Sequence, residues 1–210
     1  MGASSHQTLT ERRAEELRRS VALTALDLFV LDGGTGTTIE RICDRAGISQ
    51  RTFHRHFAAK EDVVAPLFED AGKTIVEGLR TASVDVPVTA ALVGVFSVRG
   101  FGTNPAVIFQ RRFLAMVMDS PGYLLRWHAL DPVLTGPLAD FFARRGVAGV
   151  ESFERELRAG LVLQATRLAY HRWLRTDASE EQQDLRNLDD LLERALSAVV
   201  PPQGVAPVTE

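Results

Sequence analysis

A single cysteine, Cys43, stands among 210 residues. No intrachain disulfide can form, and the chain fits a reducing compartment, the cytoplasm, rather than an oxidising one. No run of about 18 apolar residues occurs, so no segment has the length to span a bilayer, and no membrane partner is expected. The opening MGASSHQTLTERR lacks an apolar core and a cleavage pattern, which argues against a signal peptide. His6 stands where a myristoylation motif needs Ser or Thr. Charge of one sign is scarce as well. With 24 Lys and Arg against 27 Asp and Glu the net is −3, which excludes a uniformly basic nucleic-acid coat. Catalytic and cofactor patterns are missing: no His/Cys cluster has metal-ligand spacing, no Gly-rich phosphate loop follows a strand, and no Gly-x-Ser-x-Gly elbow is present. The five histidines are scattered. Cys43 takes an inward helical position and reads as core rather than nucleophile. Strand alternation and internal repeats are also absent. These absences point away from an enzyme, and toward no metal and no cofactor.

What is present is helix. Apolar residues make up 45% of the chain, enough for a sizeable core. Thr8 and Glu11 have capping-box spacing. Ala14, Leu17, Val21, Ala25 and Leu28 then recur at helical spacing, and Gly33-Gly34 supplies a stop. A second, short helix opens at Thr37-Thr38, where Thr37 with Glu40 has capping-box spacing and Thr38 is the alternative cap. Gly47 makes a tight turn, and Ser49 caps a third helix over Gln50–His56. A fourth helix is predicted from Lys60 to about Thr81, kinked or started late by Pro66. Further helices are predicted over about 88–98, 106–118, 121–130 and 132–145, with Ser120-Pro121 and Asp131-Pro132 as cap-proline starts. Two long amphipathic helices follow, over about 150–174 and 179–199. The expected fold is all-α: residues 9–60 a three-helix helix-turn-helix domain, residues 61–200 a larger helical domain for ligand binding and dimerisation, and residues 1–8 and 201–210 flexible tails.

Charge divides along the same line. Residues 1–60 carry 9 Lys and Arg against 7 Asp and Glu, a net of +2, while the remainder carries 15 against 20, a net of −5. The third helix explains the basic side. Phe53 and Phe57 point inward, leaving Gln50, Arg51, His54 and Arg55 outward. Arg51 and Arg55, four apart, share a face and can bond guanine in the major groove or clamp a phosphate. Gln50 can read adenine. Thr38, Thr52, His54 and His56 are donors of suitable reach, and Lys60 can add a phosphate contact. The histidines read as neutral donors rather than as a pH switch.

The stretch Thr37–Lys60 resembles the N-terminal domain of the tetracycline-repressor (TetR) family of transcriptional regulators. Thr37-Thr38-Ile39, Ile42, Ala46-Gly47-Ile48-Ser49, Thr52-Phe53, Arg55-His56-Phe57 and Lys60-Glu61 carry the likeness, which with the first helix covers about residues 9–65. It implies a homodimer on palindromic double-stranded operator DNA, with a divergent effector-binding domain behind. Two positions depart from the family's habit: His54 stands for an aromatic, often tyrosine, and Ala58-Ala59 for Pro-Ser. Ala59 removes a helix cap, a cost of roughly 1 kcal/mol.

The body carries large apolar side chains interleaved with polar groups, as a small-molecule site requires. Phe96, Phe109, Phe113, Met116 and Trp127 are candidate wall residues, and His128, Gln164, Arg167 and Tyr170 are candidate polar contacts. Arg167 wants an anionic or carbonyl partner, either a ligand or a helix carboxylate such as Glu154 or Asp140. The run from Gln110 to Gly146, with Arg167 and Trp173, resembles a TetR subgroup with an acyl-CoA-like ligand domain, which implies a long apolar or acyl effector. Phe153, Leu157, Leu161, Leu185, Leu188 and Leu192 of the last two helices form the expected dimer face, with Ala159, Gly160 and Ala165 permitting close approach. The alternative is a helical small-molecule carrier or enzyme that never touches DNA. The outward donor cluster on the third helix speaks against it.

Overall fold

The computed structural model describes residues 8–97, 111–147, 152–176 and 181–200, and side chains of the last two segments from 153 and 186 onward. Every regular element among these residues is helical, α or 3₁₀. Local chemistry sets the boundaries. Helix α1 (Leu9–Asp32) opens with the full Thr8–Glu11 capping box and closes at Gly33, whose φ of +67° is the left-handed conformation glycine adopts without strain. Helix α2 (Ile39–Ala46) is capped by Thr38, whose hydroxyl accepts the Arg41 N–H at 3.2 Å. Thr37, the other candidate, instead donates its hydroxyl to Asp32 at 2.6 Å. Helix α3 (Gln50–His56) begins at Ser49, as its cap chemistry dictates.

Pro66 acts as a late start. Lys60–Val64 is a 3₁₀ turn, and α4 (Ala65–Thr81) begins one residue before the proline, where its missing N–H costs nothing. Then follow α5 (Val88–Phe96), α6 (Arg111–Met118), α7 (Pro121–His128), α8 (Asp131–Arg144), α9 (Ser152–Leu174) and α10 (Glu181–Ser197). Asp131 does not cap α8: it is the helix's first residue, behind Leu130, and its carboxylate is drawn to Arg167.

The chain forms two compact units: Met1–Asp70 with Ala106–His128, and Ala71–Pro105 with Ala129–Glu210. The division therefore does not follow the 60/61 boundary of the sequence reading. In the first unit, Val21, Ala25 and Phe29 of α1 pack with Ile42, Phe53, Phe57, Val63 and Val64, and Phe113, Leu114, Val117 and Tyr123 complete that core. Phe68 stacks on Phe113 and on Trp127, with ring centroids 6.3 and 6.4 Å apart. Arg18 spans Phe57 and Glu69, stacked over the ring and paired with the carboxylate at 3.0 Å. These aromatic contacts bring α6 and α7, which follow the head by some forty residues, into its core.

In the second unit, α9 lies between α8 and α10, and α10 also packs on α5. Ala159, Val162, Leu163, Ala165, Ala169, Tyr170 and Trp173 form the buried face of α9. Two parts of the expected dimer face are corrected here. Leu188 and Leu192 are each 0% exposed, held within the core of their own chain, and Ala159 and Ala165 turn inward with them. The side chain of Leu185 lies outside the described residues, as do residues 1–7 and 201–210. Phe153, Leu157, Leu161 and Leu168 behave differently. They are 69%, 50%, 43% and 58% exposed, and with Gly160 they run along one outward stripe of α9 at coiled-coil spacing.

Candidate nucleic-acid interface

The two short helices are set by their ends. The N–H of Gly47 reaches the Asp44 carbonyl, and that of Ile48 reaches the Cys43 carbonyl, closing α2 in a left-handed turn with φ +68° at Gly47. A side chain fits spatially there, since nothing lies within 4 Å of an added Cβ, so the cost of one is conformational. Gly47→Ala is expected to destabilise the protein by about 1 kcal/mol, read as a lowered Tm with an unchanged far-UV spectrum. An unchanged or raised Tm contradicts the strain argument.

Ser49 starts α3: its hydroxyl accepts the Thr52 N–H at 3.1 Å and shares a hydrogen bond with the Thr52 hydroxyl at 3.0 Å. Seven residues make two turns, about 10 Å. Phe53 and Phe57 anchor them, both buried with ring centroids 5.0 Å apart. Gln50, Arg51, His54 and Arg55 are exposed, while Thr52 and His56 are half-buried. The sequence reading of an outward donor face is therefore reproduced, with two refinements. Arg55 leans back on Thr52, Nη2 to Oγ1 at 3.4 Å, and Thr52 is engaged in the cap. His54 sits edge-on to Phe53 at 5.6 Å.

Thr38 and Lys60 prove to have structural duties. Thr38 caps α2. The Lys60 ammonium donates to the Thr35 carbonyl at 2.9 Å, partly buried, and so tethers the α1–α2 loop. The sequence reading also overlooked Asp32. Its carboxylate takes Thr37 at 2.6 Å and Arg41 at 2.8 Å, and these partners, Thr37 foremost, hold it below the usual carboxylate range. The Asp-Gly-Gly stop was legible, but a carboxylate at a helix end gives no local sign of a partner nine residues away. Asp32, Gly34, Gly36, Thr37, Thr38 and Arg41 line an open surface hollow of about 350 Å³. Cys43 is buried, and burial with the neighbouring Asp44 raises its thiol pKa, which disfavours the nucleophilic thiolate.

The candidate effector residues fall in both units. Phe113, Met116, Trp127 and His128 belong to the first, where Phe113 and Trp127 are committed to Phe68 and His128 is exposed. Phe96, Gln164, Arg167 and Tyr170 belong to the second. The Tyr170 hydroxyl, fully buried, donates to the Phe96 carbonyl at 2.8 Å. Arg167 is corrected: Asp131 receives its Nη1 at 2.5 and 2.7 Å and Gln164 its Nη2 at 3.0 Å, so its anionic partner is within the chain, though neither Glu154 nor Asp140. Phe109 lies outside the described residues. Among the described residues, no group of three or more His, Cys, Asp or Glu is placed to hold a metal, and no helix is long and apolar enough to cross a membrane.

A capped helix, a tight glycine turn and a second helix that seats two phenylalanines while turning its donors outward define a helix-turn-helix head. Comparison with known proteins agrees. Residues 23–67 match the family described as bacterial regulatory proteins, tetR family. The chain is 27% identical over 203 residues to the HTH-type transcriptional regulator TcmR of Streptomyces glaucescens, covering 92% of this chain and 87% of that one. The fold is shared with GusR of Salmonella enterica, with a TM-score of 0.59 at 17% identity, covering 88% and 95% of the two chains. It is shared too with NalD, the secondary repressor of the MexAB-OprM multidrug efflux pump in Pseudomonas aeruginosa, with a TM-score of 0.56 at 19% identity, covering 89% and 98%.

Proposed function

We propose that this regulator is a cytoplasmic repressor that binds a palindromic operator as a homodimer and is released by a small apolar or acyl-type effector. The observation that carries the DNA reading is the outward face of α3, with Gln50, Arg51, His54 and Arg55 exposed over the two buried phenylalanines. Arg51 and Arg55 are assigned to base edges or phosphates, Gln50 to a base, and His54 and His56 to phosphate. Thr38 and Lys60 support the face by fixing its frame, and each retains capacity for a phosphate contact. Two α3 helices in successive major grooves stand about 34–36 Å apart.

The homodimer reading is supported by the outward stripe of α9. Four large apolar side chains along one helix are more than a monomer ordinarily leaves in water, and a two-fold axis through Gly160 buries each stripe on its copy. Repression is also the role stated for NalD. The effector reading rests on the apolar character of the second unit around Phe96 and Tyr170 and on the family. Arg167, neutralised by Asp131, gives it no free cationic handle. An effector with a coupling of roughly 1–3 kcal/mol changes operator affinity about 5- to 150-fold.

The test is selection of duplexes from a random library by the full chain, followed by gel shift at moderate salt. Enrichment of an inverted repeat with half-sites about one helical turn apart is expected. If no duplex binds better than random sequence, the DNA reading fails. A medium-chain acyl-CoA and the matching free fatty acid, added to the bound complex, then test the effector class: release by either supports it, and release by neither sinks it.

A further inference from the structure

We propose that Arg126 is a positioning residue for the recognition helix, acting through Asp62 on the turn that follows α3, in a seat that is held short of its tightest state. The inference rests on the DNA-reading role assigned to α3 above.

The turn begins at Ala59, two residues after α3 closes on Phe57. Ala59 has no side chain to cap it. Its N–H is held instead by Asp62 Oδ2 at 2.8 Å. The other oxygen of the same carboxylate, Oδ1, accepts the Nε–H of Arg126 from α7 at 2.6 Å, with both side chains largely shielded. One carboxylate thus joins the foot of α3 to a helix some sixty residues later in the chain. Where a serine at position 59 would hold its own turn, this chain has made the turn answerable to α7.

Two neighbours describe the seat. A Cβ added at Gly122 would stand 2.8 Å from Glu61 Cγ, so α7 meets the turn closely and glycine is what permits it. Tyr123, the next residue, is buried edge-on against Phe29 at 5.6 Å. Its hydroxyl has no hydrogen-bond partner among the described residues. Burial, with the Glu61 carboxylate nearby, drives its phenol pKa upward, so the group remains protonated. A buried hydroxyl without a partner disfavours the arrangement that buries it. The seat is therefore closed by Arg126–Asp62 and disfavoured by the unpartnered Tyr123 hydroxyl.

The experiment uses the full chain with Arg126→Ala, Arg126→Lys, Asp62→Asn, Tyr123→Phe and the Asp62→Asn/Arg126→Ala pair. Two quantities are read: amide exchange at Ala59–Val64, and affinity for a duplex enriched by the wild type. Asp62→Asn keeps an oxygen for the Ala59 N–H and loses the charge for Arg126. It and Arg126→Ala should each accelerate exchange and weaken DNA binding by about tenfold, and the pair should be no worse than either alone. Arg126→Lys should recover most of the loss, which a purely packing role does not predict. Tyr123→Phe should slow exchange by about threefold and leave binding equal or tighter. Arg126→Ala within twofold of wild type on both readouts, additive losses in the pair, or faster exchange in Tyr123→Phe overturns the proposal. Should Arg126→Ala fail to fold, Arg126→Lys and Tyr123→Phe decide it. If the wild type enriches no duplex, it is the DNA reading that fails, and the exchange measurements alone judge the seat.

Discussion

Arg55→Ala is expected to weaken operator binding by about 1–3 kcal/mol, roughly 5- to 150-fold, without changing the fold or the oligomeric state. The side chain is exposed, so its truncation leaves the core of Phe53 and Phe57 untouched. Its aim is set by the Thr52 hydroxyl at 3.4 Å, itself fixed by Ser49. Arg51, one turn earlier on the same face, should behave comparably. The salt dependence separates the two possible roles. A lost phosphate contact reduces the slope of log affinity against log salt by about 1 and weakens all sequences alike, whereas a lost base contact relaxes preference at one operator position. Measuring both variants on the selected duplex and on a scrambled one, at several salt concentrations, makes the assignment. If neither variant changes affinity for either duplex, α3 is not the reading helix.

Leu157→Asp with Leu161→Asp is expected to convert the proposed homodimer into a folded monomer. Both side chains already face water in the single chain, so charging them costs folding little. In a two-fold interface each substitution counts twice. Burying a leucine is worth about 1.5–3 kcal/mol, so the four introduced carboxylates remove most of what holds the pair together. Sedimentation should show half the mass with an unchanged helical spectrum, and operator affinity should fall because the second half-site contact is lost. Leu188→Asp is the contrasting control. That residue is fully buried among α5, α9 and α10, and a charge there should unfold the second unit instead of dissociating it. A double variant that stays dimeric places the interface elsewhere.

Leu188 and Leu192 also mark how far periodicity alone can be read. On α10 the leucines recur at helical spacing, and on α9 Phe153, Leu157 and Leu161 do the same. In one dimension the two stripes are alike, since both are apolar faces that need a cover. In the folded chain, Leu188 and Leu192 of α10 are covered by the chain's own helices, and α9 carries two stripes, one inward with Val162, Tyr170 and Trp173 and one left bare. Which apolar face finds its cover inside the molecule is a property of packing, and spacing holds no record of it.

Hydrogen-bonding side chains divide in the same manner. Thr8, Ser49, Gly33 and Gly47 act on backbone groups within four residues, so the helix ends were legible. Asp131, Lys60 and Asp62 act across 36, 25 and 64 positions, on Arg167, Thr35 and Arg126. Their partners were not legible, and spacing offered Asp131 only as a cap.

Taken by itself, then, the sequence determined the helical class, the capped three-helix head and the outward donors of α3, because each depends on interactions within one or two helical turns. Only the tertiary structure decided that α6 and α7 join the head's core, that Arg167 is neutralised by Asp131, that Leu188 and Leu192 of α10 are interior, and that Arg126 meets Asp62 in the turn behind α3. Those outcomes depend on which surfaces meet when the chain folds back on itself, a choice made by shape and burial across dozens of residues.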